Sequence, residues 1–465
     1  MKRYLKVYTI IIITILLTLS ACKKTIINYS NEDNIDEENL LSIVKELSSE
    51  KYMGRLVGTK ENELATKYIV DKFKEIGLDS PQGLDNYLHD FITQIMIINE
   101  EPTMQIQDKD GNVIKSFKYA ENFLYSAFSG SDDIDITAPL YYVDNHEDMP
   151  YVNTGAKNKI SLFPASKKKY NSWKYEGLIR SSGSLAGISE VDIKSSKREN
   201  SNLTVRPMGG GWLNQQILPY LEVDSDTFKE LKDAAEKELF LHIKYNFTVE
   251  RNKKVSNVIG VIPGADSKLK DEYIIIGAHF DHVGDNKNGT YNLGSLDNAS
   301  GTAGLLEIAR IIKSSKIPPQ KTIIFIAFNG EEIGMTGSKH YVENPIYPLE
   351  KSVMINLDMI GSSSDIPISI CTVKGEENKL QEQLIKYAKD LKIKYIKAAG
   401  SGSDHSPFSG KGVEAVCFIN EDWSNGYHSY NDTVEDVDKF KMEQIVKLII
   451  YYIENSPSNL KWKAK

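Results

Sequence analysis

The sequence predicts an α/β fold in which a mostly parallel central sheet is flanked by helices. Four runs are almost continuously apolar, as is typical of buried strands, and they span residues 273–278, 322–328, 353–357 and 415–419. Between the first two runs, residues 301–313 carry apolar side chains at helical spacing. Hydrophobic strands that alternate with helices indicate a parallel sheet that is covered on both faces.

The middle of the chain shows a different pattern, which predicts an inserted domain. The chain has 465 residues, more than one typical hydrophobic core accommodates. From residue 121 to residue 245 it changes to short strands and turn-rich loops, one of which contains Trp212. We therefore expect a β-rich insert at 121–245 that divides the main domain into the segments 40–120 and 246–457.

Polar clusters follow the predicted strands of the main domain. In chain order they are His279-Phe280-Asp281, Asp297-Asn298, Glu331-Glu332, Asp358 and Tyr427-His428. Open α/β sheets bind ligands beyond the carboxyl ends of their strands, so these clusters are expected to meet at one edge. Two histidines and three carboxylates can hold two zinc ions, because zinc accepts imidazole nitrogen and carboxylate oxygen. Glu331, beside the ligand candidate Glu332, is then left over as a base.

Six motifs resemble those of the zinc-dependent M28 aminopeptidases and occur in the order found in that family. They lie at residues 277–282, 295–301, 328–332, 356–361, 403–408 and 427–433. Shorter matches on the N-terminal side lie at residues 47–49, 54–55, 58–59 and 76–78. The resemblance implies the zinc exopeptidase fold. Many M28 relatives carry a protease-associated (PA) domain where this chain has its insert, so we interpret 121–245 as PA-like.

The resemblance also implies a role for each member of the clusters. The five metal ligands would be His279, Asp297, Glu332, Asp358 and His428. Asp297 would bridge the two zinc ions, and the family often has a cis peptide bond after this residue. Glu332 and His428 would complete the shell of one ion, and the remaining pair would complete the other. Asp281 would orient the His279 ring through its second nitrogen.

The resemblance implies roles near the metal ions for further residues of the motifs. Glu331 would take a proton from the attacking water and return it to the leaving amine. Tyr427 occupies a place from which some relatives offer a hydroxyl to the developing oxyanion, and an ordinary packing role is the alternative. His282 and His340 have no counterpart among the family's ligands and are expected to be structural. Ser403-Asp404-His405 is expected to brace the site or line its rim, with direct catalysis as the alternative.

The N-terminus resembles a bacterial lipoprotein signal. Three basic residues precede an apolar run at residues 7–18, which meets Leu19-Ser20-Ala21-Cys22. This pattern predicts a signal peptide at 1–21, lipidation of Cys22 and a flexible polar tether at 22–39. The chain is then expected at the bacterial cell membrane, lipid-anchored on the extracytoplasmic face. An ordinary signal peptide cut near residue 21 is the alternative.

Charge and cysteine content exclude two other classes of protein. Loss of residues 1–21 removes three positive charges and no negative ones, so the formal net charge falls from −8 to −11. This acidic balance argues against nucleic acid as a partner. Cys371 and Cys417 are too few for a disulfide framework and are expected to be buried thiols, with pairing left open.

These observations together predict a membrane-anchored di-zinc exopeptidase that acts on peptides. An aminopeptidase is the leading interpretation. A carboxypeptidase or another amide hydrolase at the same site is one alternative, and a non-catalytic receptor-like module on the same fold is another. The oligomeric state and the preferred terminal residue do not follow from the sequence.

Overall fold

A computed structural model describes residues 35–84, 86–125, 133–144, 154–165, 172–191, 209, 218–373, 377–400, 402–423 and 426–455. The predicted signal peptide, Cys22 and Trp212 lie outside these residues. Within them, no helix has the length and apolar character needed to cross a membrane.

The described residues form sixteen strands and nine α-helices. The strands are β1 Leu88–Ile98, β2 Thr103–Gln107, β3 Val113–Phe117, β4 Phe123–Tyr125, β5 Ile134–Tyr142, β6 Ile160–Phe163, β7 Ala186–Glu190, β8 Tyr220–Val223, β9 Phe240–Tyr245, β10 Phe247–Ile262, β11 Tyr273–His279, β12 Thr322–Phe328, β13 Ser352–Asp358, β14 Ile368–Thr372, β15 Tyr395–Ala399 and β16 Glu414–Ile419. The helices are α1 Glu37–Leu47, α2 Lys60–Ile76, α3 Ser172–Ser182, α4 Ser225–Glu236, α5 Gly301–Ser314, α6 Thr336–Glu343, α7 Lys379–Asp390, α8 His405–Gly410 and α9 Lys439–Asn455.

The central sheet has the strand order β1-β10-β12-β11-β13-β16-β14-β15. Its middle is parallel, because β12, β11, β13 and β16 pair in that direction. Strands β10 and β14 join this middle in antiparallel fashion, so the sheet as a whole is mixed. The predicted α/β fold with a helix-flanked central sheet is confirmed.

Side chains of the middle strands alternate between two cores. On one face, Ile274 and Ile276 pack with apolar side chains of helices α1, α2, α5 and α9. On the other face, Ile275 packs with Tyr341 of α6 and Phe408 of α8. Successive side chains of a strand point to opposite faces of its sheet, so a strand that is apolar throughout must be covered on both. Packing on both faces of the sheet holds in place the strand ends that carry the polar clusters.

A second mixed sheet lies in the middle of the chain, with the order β3-β2-β9-β5-β6-β7-β8-β4. Its first strand begins at Thr103, before the predicted start of the insert at residue 121, and the domain bounds stay a prediction. Strand β2 joins this sheet because it pairs with β9 near the end of the insert, and β3 pairs with β2. The long antiparallel pair β1 and β10 connects this sheet to the central one. The PA-like character of this region stays a prediction.

The last residues of the predicted tether at 22–39 overlap the first helix. Helix α1 starts at Glu37, and the Asp36 side chain caps it by accepting a hydrogen bond from the Asn39 backbone N–H. The buried carboxylate of Glu307 in α5 accepts hydrogen bonds from the Asp36 backbone N–H at 2.7 Å and from the Asn39 amide at 2.8 Å. Residues 35–39 therefore belong to the folded domain.

The two cysteines lie directly opposite each other on β14 and β16. Both thiols are buried, as expected. Both are also free, so the two cysteines do not form a disulfide. Burial raises the pKa of Cys371 to about 11, so its thiol is protonated at neutral pH.

Candidate metal centre

The polar clusters converge at the carboxyl edge of the parallel strands. His279 is the last residue of β11, and Asp358 is the last residue of β13. A turn after β12 brings in Glu331 and Glu332, and the segment before α5 brings in Asp297. The peptide bond between Asp297 and Asn298 is cis, as expected. All five predicted ligands, including His428 from the loop after β16, meet at this edge.

One group of potential ligands consists of His279, Asp297 and Asp358, and all three residues are buried. The His279 Nε2 atom lies 3.3 Å from Oδ1 of Asp297 and 3.4 Å from Oδ1 of Asp358. Ligand atoms about 2.0–2.2 Å from a tetrahedral zinc ion lie roughly 3.3–3.6 Å apart. The spacing of this group therefore suits one zinc ion.

A second group is built around His428 and the other oxygen of Asp297. The His428 Nε2 atom lies 2.9 Å from Oε2 of Glu332 and 3.1 Å from Oδ2 of Asp297. The two oxygens of the Asp297 carboxylate are thus divided between the two groups. This division is the arrangement that a ligand bridging two ions requires.

The electrostatics of the site favour a bound cation. Oδ1 of Asp358 is buried and has no hydrogen-bond partner among the described residues, a costly state for a carboxylate oxygen unless an ion fills the space before it. Burial opposes protonation of His428, yet Glu332 and Asp297 outweigh that effect and raise the pKa of His428 to about 10. The carboxylates therefore attract positive charge strongly, and their oxygens with two imidazole nitrogens form a donor set that suits zinc.

Asp281 is buried beside the first group, but its carboxylate acts differently from the prediction. The His279 Nδ1–H group points to the backbone carbonyl oxygen of Asp281 at 3.2 Å, whereas the carboxylate is 3.7 Å away. The two carboxylate oxygens instead accept the backbone N–H groups of Glu331 and Glu332, at 3.1 and 3.2 Å. Asp281 orients the ring through its main chain, and its side chain holds the turn that presents the two glutamates.

Glu331 and Tyr427 border the two ligand groups. Desolvation raises the pKa of Glu331 well above its ordinary value, and the negative charges of Glu332 and Asp404 add to this shift. A raised pKa makes a carboxylate a better proton acceptor. The Tyr427 ring stacks on His428 with centroids 3.9 Å apart, and burial keeps its hydroxyl protonated by raising its pKa. A protonated hydroxyl can donate a hydrogen bond, and its role toward an oxyanion stays a prediction.

The Ser403-Asp404-His405 motif braces the site, as expected. The Ser403 hydroxyl donates to Oδ2 of Asp358 at 2.6 Å and accepts a hydrogen bond from the Asn356 amide at 2.8 Å. The Asp404 carboxylate accepts a hydrogen bond from the Ser338 hydroxyl. The His405 Nε2 atom lies 2.9 Å from the carbonyl oxygen of Gly400.

Sequence reasoning gave no role to Arg55 or Asp432, which hold the segment around Asp297. The guanidinium of Arg55 is fully buried. It donates to carbonyl oxygens of the surrounding backbone, which are those of Leu47, Phe280, Leu293, Gly294 and, at 3.4 Å, Asp297. The Asp432 carboxylate accepts the backbone N–H groups of Leu296 and Asp297 at 2.7 and 3.0 Å. Both residues lie in motifs that resemble the family, which was the available signal.

Gly54 explains how Arg55 reaches this buried position. Its φ of +72° is in the left-handed region, where glycine is favoured. A Cβ atom on Gly54 would lie 2.7 Å from the carbonyl oxygen of Gly284, so a larger residue would push the two segments apart.

Buried histidines and carboxylates at the carboxyl ends of parallel strands, with an additional glutamate beside them, define a metal-dependent hydrolase. Residues 257–453 of the chain match the sequence model of Peptidase family M28. Over these residues the chain is similar to that family, and the chain is a zinc metallopeptidase.

Relatives with known names are similar to large parts of the chain. Aminopeptidase YwaD from Bacillus subtilis (strain 168) is 29% identical over 363 residues, which cover 74% of this chain and 74% of that protein. A glutamate carboxypeptidase 2 homolog from Caenorhabditis elegans is 30% identical over 217 residues, 39% of this chain and 27% of that protein. The structure of BSAP, a zinc aminopeptidase from Bacillus subtilis, aligns with 91% of this chain and 96% of its own. The TM-score between the two structures is 0.66 at 23% sequence identity, which shows that they are similar in fold.

Proposed function

We propose that this protein is an aminopeptidase that uses two zinc ions to hydrolyse N-terminal residues from peptides. The observation that carries the proposal is the Asp297 carboxylate, because one oxygen lies in the His279 group and the other in the His428 group. A carboxylate shared in this way supports a two-ion centre. The similarity to a protein named as an aminopeptidase supports the choice of reaction.

Zinc bound at these positions would polarise the scissile carbonyl group and lower the pKa of a bound water to about 7. The chain's own contribution to proton transfer is Glu331, since one of its carboxylate oxygens lies within 4.8 Å of ligand atoms of His279 and Glu332. Glu331 accepts a proton from the attacking water and gives it to the leaving nitrogen, which departs as an amine. The Asp281 carboxylate accepts the backbone N–H groups of Glu331 and Glu332 and so fixes the turn that carries this base.

The buried cation beside the ligand groups is not placed to bind a substrate's terminal carboxylate. Arg55, whose charge acts on Asp432 and Asp297, donates to backbone carbonyl oxygens. A carboxypeptidase needs a cationic or amide donor for the substrate's C-terminus. The C. elegans relative, named as a carboxypeptidase homolog, is the observation in favour of that second candidate.

Blocked peptides distinguish the two candidates. Purified protein is incubated with one peptide in three forms, which are unmodified, acetylated at the N-terminus and amidated at the C-terminus. We expect successive loss of N-terminal residues by mass spectrometry, no effect of the amide and no product from the acetylated form. The opposite pattern would establish a carboxypeptidase. The Glu331→Gln variant, purified in parallel, is the control for contaminating peptidases.

We further propose that Cys22 carries a lipid that attaches the protein to the extracytoplasmic face of the membrane. The basic, apolar and small-residue pattern at residues 2–22 supports this. The wild-type protein should sediment with membranes, and Cys22→Ala should lose the lipid and be processed poorly. Cys371→Ala, which changes a buried thiol in β14, should still sediment with membranes. Mature wild-type protein free in the medium without lipid would contradict the anchor.

The second sheet is proposed to contribute to selection of the substrate. An apolar pocket lies where this region meets the main domain, and its lining includes Tyr119, Tyr125, Met53, Met96 and Val283. Tyr125 belongs to β4 of the second sheet, whereas Val283 directly follows His282 on the loop after β11. A substrate side chain bound in this pocket would contact residues of both regions.

A further inference from the structure

His282 lies inside the metal centre although it was expected to be an ordinary structural residue. It is fully buried, and its Nδ1 atom lies 2.9 Å from Oε1 of Glu332 and 3.8 Å from Oδ2 of Asp297. Its ligating atoms fall in one cluster with those of Glu332, Asp297 and His428. Gly294 makes room for the ring, because a Cβ atom there would lie 2.5 Å from the Cδ2 atom of His282.

The surroundings of the other ring nitrogen decide between two roles for His282. If Nδ1 bound an ion directly, the proton of the neutral ring would sit on Nε2. That N–H group would be buried without an acceptor, because Nε2 of His282 has no hydrogen-bond partner among the described residues. A buried donor left unpaired bears its full desolvation cost. A metal-binding histidine normally donates its second N–H group, as His279 does to the Asp281 carbonyl oxygen.

The opposite tautomer pairs the only N–H group of the ring. With the proton on Nδ1, His282 donates to Oε1 of Glu332 at 2.9 Å, and Nε2 is left as an acceptor without a donor among the described residues. The other oxygen, Oε2, remains next to Nε2 of His428 at 2.9 Å. One oxygen of Glu332 is thus used by a hydrogen bond, and the second faces the metal position.

We infer that His282 is a positioning residue that donates from Nδ1 to Oε1 of Glu332 and holds Oε2 as the single metal-binding oxygen of that carboxylate. This inference rests on the proposed two-zinc function. The same device serves the other ion, because the Ser403 hydroxyl donates to Oδ2 of Asp358 and leaves Oδ1 facing His279. Each terminal carboxylate then has one oxygen held by the protein and one available to its ion.

The test compares two substitutions at position 282 with a remote one. His282→Leu keeps much of the bulk and removes the donor, whereas His282→Asn can place an amide N–H near the position of Nδ1. His340→Leu is the matched control, since His340 packs against Phe91 and His89 away from the ligands. Zinc affinity is measured for each protein by competition with a chelator, and thermal unfolding of the metal-free proteins reports on folding.

We expect wild type and His340→Leu to bind two zinc ions with the same pair of affinities. His282→Leu should weaken one of the two by roughly 10–100-fold, the usual effect of removing a hydrogen bond to a ligand, and leave the other unchanged. His282→Asn should recover most of the loss. Unchanged affinities in His282→Leu would overturn the inference, and an equal loss in His282→Asn would overturn the donor role. A wild-type protein that binds fewer than two ions would instead defeat the proposed function itself.

Imidazole nitrogen NMR of the zinc-loaded wild-type protein gives a readout that does not depend on how the variants fold. The resonances of His282 are assigned by their absence in the His282→Asn spectrum. A protonated Nδ1 with an unprotonated, metal-free Nε2 is expected. A metal-bound Nδ1 would show that His282 is a ligand and would overturn the inference.

Discussion

Replacement of the two adjacent glutamates by glutamine should separate proton transfer from metal binding. Glu331→Gln keeps the size and polarity of the side chain but cannot accept a proton. The turn should persist, because Asp281 holds it through backbone N–H groups that the substitution does not touch. Glu332→Gln instead replaces a ligand oxygen that lies 2.9 Å from Nε2 of His428.

The size of each effect follows from these positions. Loss of general acid–base catalysis costs about 10²–10⁴-fold in turnover, which corresponds to about 2.7–5.5 kcal/mol of activation free energy. Glu331→Gln should therefore lose at least this much kcat while it retains its metal. Glu332→Gln should lose turnover and at least one ion together, because an amide is a poorer zinc ligand than a carboxylate.

The assay pairs turnover on an unblocked peptide with elemental analysis of the same protein sample. Circular dichroism and thermal unfolding show whether each variant is folded. Wild-type turnover in Glu331→Gln would refute its role as the base. Loss of metal in Glu331→Gln with full metal content in Glu332→Gln would show that the two roles are exchanged.

Three further predictions concern the bridge, the buried arginine and the pocket. A chelator should abolish activity, and added zinc should restore it. Among the ligand substitutions, Asp297→Asn should cause the largest loss of metal content and turnover, because it removes a negative charge that both ions share. Arg55→Met should lower the free energy of unfolding by roughly 3–5 kcal/mol in a urea titration, because it leaves several buried carbonyl oxygens unpaired. The exposed control Lys109→Met should change it by less than about 0.5 kcal/mol. Tyr125→Ala should alter relative rates among peptides more than zinc content, and equal loss for all peptides together with metal loss would contradict a role of the pocket in selection.

The sequence by itself determined the central sheet and the residues of the metal centre. Buried parallel strands are apolar throughout, so the runs that became β11, β12, β13 and β16 were visible in the local pattern. Residues that follow such strands must lie at one edge of the sheet, which brought His279 and Asp358 together without knowledge of any contact. The resemblance to M28 motifs then assigned a metal role to five of the residues that the structure brings together there, whereas His282 was expected to be structural.

Only the tertiary structure decided features that depend on partners far away in the chain. Residues 35–39 resemble a tether in composition, but the carboxylate that orders Asp36 is 271 residues away in Glu307. The second sheet starts at Thr103 because β2 finds its partner in β9, at the other end of the insert. His282 and Arg55 lie in motifs that resemble the family, but their roles come from the groups that the fold places around them. Local periodicity reports which side of an element is buried, whereas hydrogen-bond partners of buried polar groups are fixed only when distant segments meet.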